Sequence, residues 1–316
     1  MSISPKNSTR RDVLAWMAML AGGGLLGREL FSAPAAATPS GYHPILSVQI
    51  FIWIQHFQSE KKTLAEGVEE ALHAIHRAGY KRVELFADFF GEGLRARTLA
   101  LLKENELDVP TVYASSTLHE PGAAEKSVAQ IADLAKELKP AGLRGIVTNP
   151  SPKPNHGRKS DEELDTQVRY LNRLGADLQK NGVILMVHHH TPELLDRARE
   201  WRYQLRHTDP NLVRCCVDVQ WAHRGGQEPL AFLREVENRL SSLHVRNTKG
   251  GVWMEDFAEG DIDYHQIADY LRQINYRGYL VVELAYEKGT TITRPLEDDL
   301  RLSRLYTEKV FSLHES

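Results

Sequence analysis

From about residue 45 the chain alternates between two spacings of apolar residues. Short apolar runs rich in β-branched residues alternate with longer segments of helical periodicity, and these predict strands and helices respectively. The predicted strands are Leu46–Ile54, Arg82–Phe86, Val109–Tyr113, Gly145–Thr148, Val183–Val187, Val213–Val217, Ser242–Val245 and Tyr279–Glu283. Helices are predicted near 62–78, 92–105, 122–138, 160–180, 192–206, 229–237, 263–274 and 295–312. Glycines at 79, 182 and 278 stand between a helix and the next strand, where a residue with φ > 0 ends the helix without Cβ strain. The runs at 183–187 and 279–282 are apolar without alternation, as expected of strands covered on both faces.

Eight β–α units over residues 45–316 predict a single-domain α/β fold, a closed (β/α)8 TIM barrel. An open doubly wound sheet is the competing arrangement, but the first strand has no Gly-x-Gly-x-x-Gly turn after it, so dinucleotide binding has no support. The irregular stretches Asn149–Arg158 and Asn247–Gly260 follow strands and are expected to form the rim of the mouth.

Composition narrows the function classes. Of 316 residues, 42% are hydrophobic and 26% charged, an ordinary globular balance. A formal net charge of −3 gives no basic excess to meet a phosphate backbone, so nucleic acid is not an expected partner. The only cysteines, Cys215 and Cys216, rule out a disulfide framework and a cysteine-based zinc site. As neighbours on one strand they are expected to face opposite ways.

Polar residues gather at the predicted strand ends: Glu84, His188-His189-His190, Asp218, His244 and Glu283. In a barrel these ends converge on one mouth. Buried carboxylates need partners, and two carboxylates with two imidazoles satisfy one another best around a divalent cation. Mixed nitrogen and oxygen ligation suits Mn, Co, Fe or Zn better than Ca. Each residue also has a structural role open to it. Asp218 could cap the following turn, and His189 could point outward. Glu84 could bond a sugar hydroxyl or sit in a structural salt bridge. Trp53 on strand 1 and Trp221 after strand 6 could stack on a sugar ring or fill the core. His119, Arg246 and Lys249 lie within reach of a substrate at the mouth.

The N-terminus carries Arg10-Arg11 before a moderately apolar, glycine-interrupted run of about 15 residues, short for a membrane span of roughly 20. This resembles a twin-arginine (Tat) export signal, with cleavage expected after Ala37. The resemblance divides the chain into a signal peptide at 1–37, a linker at 38–44 and a barrel at 45–316. It implies passage through the Tat translocase to the periplasm or otherwise out of the cytoplasm, and it favours a cofactor loaded before export; an uncleaved membrane anchor is the competing reading of the segment.

Four passages carry a second resemblance: Gly182 to His190, Asp218-Val219-Gln220-Trp221, Leu243-His244-Val245-Arg246-Asn247 and Val281-Val282-Glu283. They resemble the xylose isomerase-like TIM barrels, the superfamily of sugar isomerases and epimerases, inosose dehydratase and endonuclease IV. His188-His189-His190, the stretch from His207 to Asp218 and Gly225 to Pro229 resemble the branch that includes inosose dehydratase. The resemblance implies a divalent ion (Mn, Co, Fe, Zn or Mg) held by His188, Asp218, His244 and Glu283, with His188 replacing a glutamate. It implies a metal-dependent isomerase, epimerase or dehydratase acting on a sugar or keto-inositol, and it allows a homo-oligomer. Glu283 is then the expected base, with Glu193 and His190 as further catalytic groups. Loss of the strand-5 carboxylate leans toward a dehydratase or one-base isomerase. The competing expectation is an exported sugar-binding barrel without catalytic activity. Its support is the altered strand-5 ligand and the Arg246-Asn247 departure from the usual Lys-Asp.

Overall fold

The computed structural model describes residues 41–313. The expected signal peptide lies outside the described residues, as does the linker before Gly41. Eight parallel strands close into a barrel in the order β1 (Ile45–Gln49), β2 (Val83–Phe86), β3 (Thr111–Tyr113), β4 (Gly145–Thr148), β5 (Ile184–Val187), β6 (Val213–Asp218), β7 (Leu240–Val245) and β10 (Tyr279–Val282), the last pairing with β1. The expected (β/α)8 barrel is therefore the fold. Its helices are α1 (Phe51–Glu60), α2 (Leu64–Arg77), α3 (Arg95–Glu104), α4 (Pro121–Leu138), α5 (Asp161–Lys180), α6 (Thr191–His207), α7 (Val219–Arg224), α8 (Pro229–Glu235), α9 (Tyr264–Gln273) and α10 (Leu296–Val310).

Local chemistry starts several of these elements where the pattern places them. Thr63 and Ser160 each accept a backbone N–H three residues on, while Glu66 and Glu163 reach back, so capping boxes open α2 and α5. The strand boundaries differ in instructive ways. Pro110 has no N–H for a ladder, so β3 begins at Thr111 instead of Val109. Ile184 is 40% exposed, so continuous burial in β5 holds from Leu185 to Val187.

The largest departure follows β1. The apolar run predicted as strand to Ile54 leaves the ladder after Gln49, and Phe51–Glu60 is helical. A short apolar run reads alike as strand or buried helix, because periodicity alone cannot separate them. Ile52, Trp53 and Phe57 bury the inner side of α1. Phe57 packs so closely on Gly67 of α2 that a Cβ there would meet its ring at 2.4 Å. Trp53 is therefore on α1, not on strand 1.

Two further segments gain structure. The stretch after β6 is the short helix α7, and the rim stretch 247–260 contains a hairpin of β8 (Thr248–Lys249) and β9 (Val252–Trp253). Helix α6 is interrupted at 195–198, where Asp196, Arg197 and Ala198 have φ between 52° and 59°. Inside the barrel Tyr113, Val147, Met186 and Cys216 pack together, and Cys215 belongs to the outer layer between strands and helices. The adjacent thiols thus face opposite ways, as expected. Among the described residues no helix is long and apolar enough to cross a membrane.

Candidate metal centre

Alternation along β6 and β7 sends Cys216, Asp218, Ser242 and His244 toward the barrel interior. His188 directly follows β5, and Glu283 directly follows β10. One ligand atom each from His188, Asp218, His244 and Glu283 lies within 4.8 Å of the others, and all four residues are buried. The structure therefore brings together the four residues expected to hold a metal.

Three of the four are held by specific partners. Asp218 Oδ1 accepts the Trp221 backbone N–H at 2.7 Å and so caps α7, leaving Oδ2 to the site, 3.9 Å from His188 Nε2. The capping and ligand roles of Asp218 thus use different oxygens. Glu283 Oε2 is 2.6 Å from His244 Nδ1. The other ring nitrogen, His244 Nε2, is 3.0 Å from Glu84 Oε1, which also accepts from Gln49 Nε2 at 2.8 Å. Glu84 is fully buried against His244 and Gln49, and no Lys or Arg bridge to it is present among the described residues. A carboxylate on the outer nitrogen of a ligand imidazole fixes the ring and raises its basicity.

Arg246 was expected at the substrate, but its guanidinium lies among the ligands. Nη2 is 3.2 Å from Asp218 Oδ2, and Nη1 is 3.2 Å from Glu283 Oε1. Burial would raise both carboxylates. For Asp218, Arg246 and His188 outweigh it, and for Glu283, Arg246 and His244 do, so both stay below their usual range. Burial depresses His188, which is neutral. Burial would depress His244 too, but Cys216 and Glu84 raise it well above the ordinary imidazole value. The Cys216 thiol is itself raised by burial, so the carboxylates carry this effect near neutrality.

These residues fit a divalent cation on three counts. Both ring nitrogens of His188 are buried without a hydrogen-bond partner among the described residues. Ligand atoms about 2.0–2.3 Å from an ion stand roughly 3–4.5 Å apart, and one atom from each of the four residues lies within 4.8 Å of the others. Finally, the buried carboxylates of Glu84, Asp218 and Glu283 are met by one guanidinium and one imidazolium, Arg246 and His244, which leaves one negative charge without a partner.

Glu84→Gln should keep the fold and loosen the His244 ring. We expect metal affinity to fall about 10–100-fold, the usual effect of losing such an outer partner. Competition with a chromogenic chelator measures it, and an unchanged affinity would remove Glu84 from this role.

The remaining expected residues fall into three groups. His190 and Trp221 stand at the site: His190 is 4.8 Å from His188 and 5.4 Å from Trp221, ring centre to ring centre. Burial pushes His190 down to about 3, so it is a neutral imidazole. His119 and Glu193 are both buried. Glu120 Oε1 is 3.4 Å from His119 Nε2, but neither ring nitrogen has a hydrogen-bond partner among the described residues, and burial followed by the Lys159 charge lowers it. Glu193 Oε2 accepts the His190 N–H at 2.7 Å, its Oε1 is unpartnered, and burial pushes it up to about 7. His189 faces outward, between Trp201 and Phe232. Two residues are not brought to the ligands: Lys249 is exposed on the hairpin, and Trp53 packs against His56 and Phe57.

Sequence reasoning missed Trp253 and Cys216. Trp253 stands edge-on to Trp221 at 5.4 Å, and Arg246 lies over its ring at 4.4 Å. It sits in the rim stretch, where no periodicity marks a tertiary contact. Cys216 joins His188 and His244 in a second grouping within the same 4.8 Å limit. Excluding a cysteine-rich zinc site did not exclude one thiol beside two imidazoles, and the two-residue step from Cys216 to Asp218 was the available signal.

Comparison with known proteins is consistent with this geometry. Residues 72–306 match the family described as xylose isomerase-like TIM barrel. An inosose dehydratase of Clostridium perfringens is 29% identical over 168 residues, 48% of this chain and 56% of that protein. The chain thus spans about half the length of the curated relatives it matches. A sugar phosphate isomerase/epimerase from Parabacteroides distasonis superposes with a TM-score of 0.65 at 19% identity, covering 88% of this chain and 97% of the other. D-psicose 3-epimerase from Clostridium cellulolyticum, solved with D-tagatose, gives 0.65 at 15% identity, covering 84% and 99%. At these identities the solved structures share the fold.

Proposed function

The chain belongs to the xylose isomerase-like TIM barrel family, and we propose that it is a metal-dependent isomerase, epimerase or dehydratase of a sugar or keto-inositol. The observation that carries this reading is the convergence of His188, Asp218, His244 and Glu283 within 4.8 Å at the strand ends. The likeness to an inosose dehydratase and to a psicose epimerase supports the substrate class.

In this reading His188, Asp218, His244 and Glu283 hold the divalent ion. When bound, such an ion polarises the carbonyl beside the carbon that loses its proton. Glu283 takes that proton: Arg246 and His244 keep it ionised and fix its two oxygens. Asp218, tied through Oδ1 to α7, orients without moving. Glu193, raised to about 7, is the group in this set whose proton exchanges near neutrality, and it serves as the acid. His190 and Trp221 flank the carbon skeleton.

The test is solvent deuterium uptake by NMR, with purified metal-loaded protein and a panel of keto-sugars and keto-inositols. Uptake at the carbon next to the carbonyl is expected, because exchange there requires a working base. Absence of uptake across the panel would sink the enzymatic reading. A second reading, a sugar-binding barrel without catalysis, has one observation behind it. The Arg246 guanidinium already bridges Asp218 and Glu283 as a built-in cation. Protein that binds sugars but neither metal nor deuterium would favour it.

The export reading is part of the same proposal. Replacing Arg10 and Arg11 by Lys should leave unprocessed precursor in the cytoplasm, detected by fractionation and mass. Normal export of that variant would rule out the Tat route.

A further inference from the structure

Cys216 takes no part in the proposed chemistry. It is a free, fully buried thiol on the inner side of β6, two residues before Asp218. Around it Tyr113, Val147 and Met186 pack as a small apolar cluster. A structural thiol buried in apolar surroundings is ordinarily inert. This one differs in its company. Its sulfur and one nitrogen each from His188 and His244 lie within 4.8 Å of one another.

Two imidazoles and a thiolate suit a soft or borderline divalent ion, and sulfur and nitrogen on one tetrahedral ion stand roughly 3.5 Å apart. The three atoms need only close in from the span they already have. His188 calls for a ligand on independent grounds, because both of its nitrogens are buried without a hydrogen-bond partner among the described residues. Its Nε2 is 3.9 Å from Asp218 Oδ2, and its Nδ1 is equally unpaired. The thiol and the carboxylates of Asp218 and Glu283 fall in separate groupings that share both imidazoles. An ion in one position takes the rings that the other requires, so the two positions are alternatives. They also differ in hardness. The wall at Cys216 offers sulfur among apolar groups, and Glu84 is spent on His244 and Gln49. The strand ends offer the oxygens of Asp218 and Glu283, which suit a harder ion.

We infer that the barrel has a second, thiophilic metal position formed by His188, Cys216 and His244, which takes soft divalent ions such as Cd²⁺ and excludes the ion held through Asp218 and Glu283. A divalent ion there displaces the thiol proton to solvent, one for each ion bound. The inference rests on the metal-binding part of the reading above and is independent of its catalysis.

Metal exchange on the full chain tests this, with Mn²⁺ and Cd²⁺ as probes. Cd²⁺ should displace Mn²⁺ one for one in elemental analysis and bring up thiolate-to-cadmium absorption in the ultraviolet. Cys216→Ala and Cys216→Ser should both lose that absorption and weaken Cd²⁺ beyond the roughly 10–100-fold that an outer partner costs, while Mn²⁺ still binds. Cys215→Ser should keep the absorption, since that thiol lies in the outer layer. Asp218→Asn should do the converse of the Cys216 variants, losing Mn²⁺ and keeping the cadmium absorption. Circular dichroism checks that each variant is folded. Cadmium-loaded wild-type protein without the absorption overturns the inference, as does absorption that survives in both Cys216 variants or Cd²⁺ that binds with Mn²⁺ still in place. Cadmium absorption in protein that never takes Mn²⁺ defeats the carboxylate centre and leaves the thiol position standing. Mn²⁺ bound without any cadmium absorption does the reverse.

Discussion

Asp218→Asn is expected to strip the metal from the protein while leaving the barrel folded. The substitution keeps an oxygen that can accept the Trp221 N–H, so the cap on α7 survives. It removes the negative charge that Oδ2 presents to His188 and Arg246. Losing an anionic ligand should cost well beyond the roughly 10–100-fold that an outer partner costs. Arg246 keeps Glu283, so the penalty to stability should stay below the ~3–5 kcal/mol of a buried charge left alone. Cooperative thermal unfolding by circular dichroism, with elemental analysis after gel filtration, separates the two effects. Full metal stoichiometry in the variant would reject the ligand set.

Glu283→Gln should abolish deuterium uptake even when metal is held at saturation. A carboxylate that shares one oxygen with a cation still has another to receive a proton, whereas an amide has none to offer. Removing a general base costs about 10²–10⁴-fold in rate. His188 cannot replace it, because burial keeps that imidazole from holding a proton and its nitrogens belong to the ligand group. Uptake at the wild-type rate in metal-loaded Glu283→Gln would move the base to Glu193 or His190. Glu193→Gln measured alongside should slow uptake less, since its fixed oxygen is spent on the His190 N–H.

Much of this arrangement was legible along the chain. Strands in a barrel are short and apolar, helices are longer and amphipathic, and glycine signals separate them, so the count of eight units followed from periodicity. The four candidate ligands were legible for a related reason. A carboxylate closing an apolar central strand has few other uses, and parallel topology carries all such ends to one mouth. The alternation that turned Cys215 outward and Cys216 inward is likewise a property of any strand.

What the chain could not determine by itself were the relations between side chains distant in sequence. The run after β1 read as strand because an apolar run has no phase of its own; packing of Phe57 on Gly67 made it helix. Glu84 read equally as a sugar contact or a structural salt bridge, because its place at a strand end was visible and its partner was not. Closure of the barrel put it behind His244, 160 residues away. Arg246 read as a substrate contact, and the fold set it between carboxylates from the strands on either side of its own. Propensity and hydrophobic pattern are local quantities, so they fix the elements and their faces. Which charge meets which is decided only when the sheet closes, because a buried charge takes whatever partner the closed barrel brings within reach.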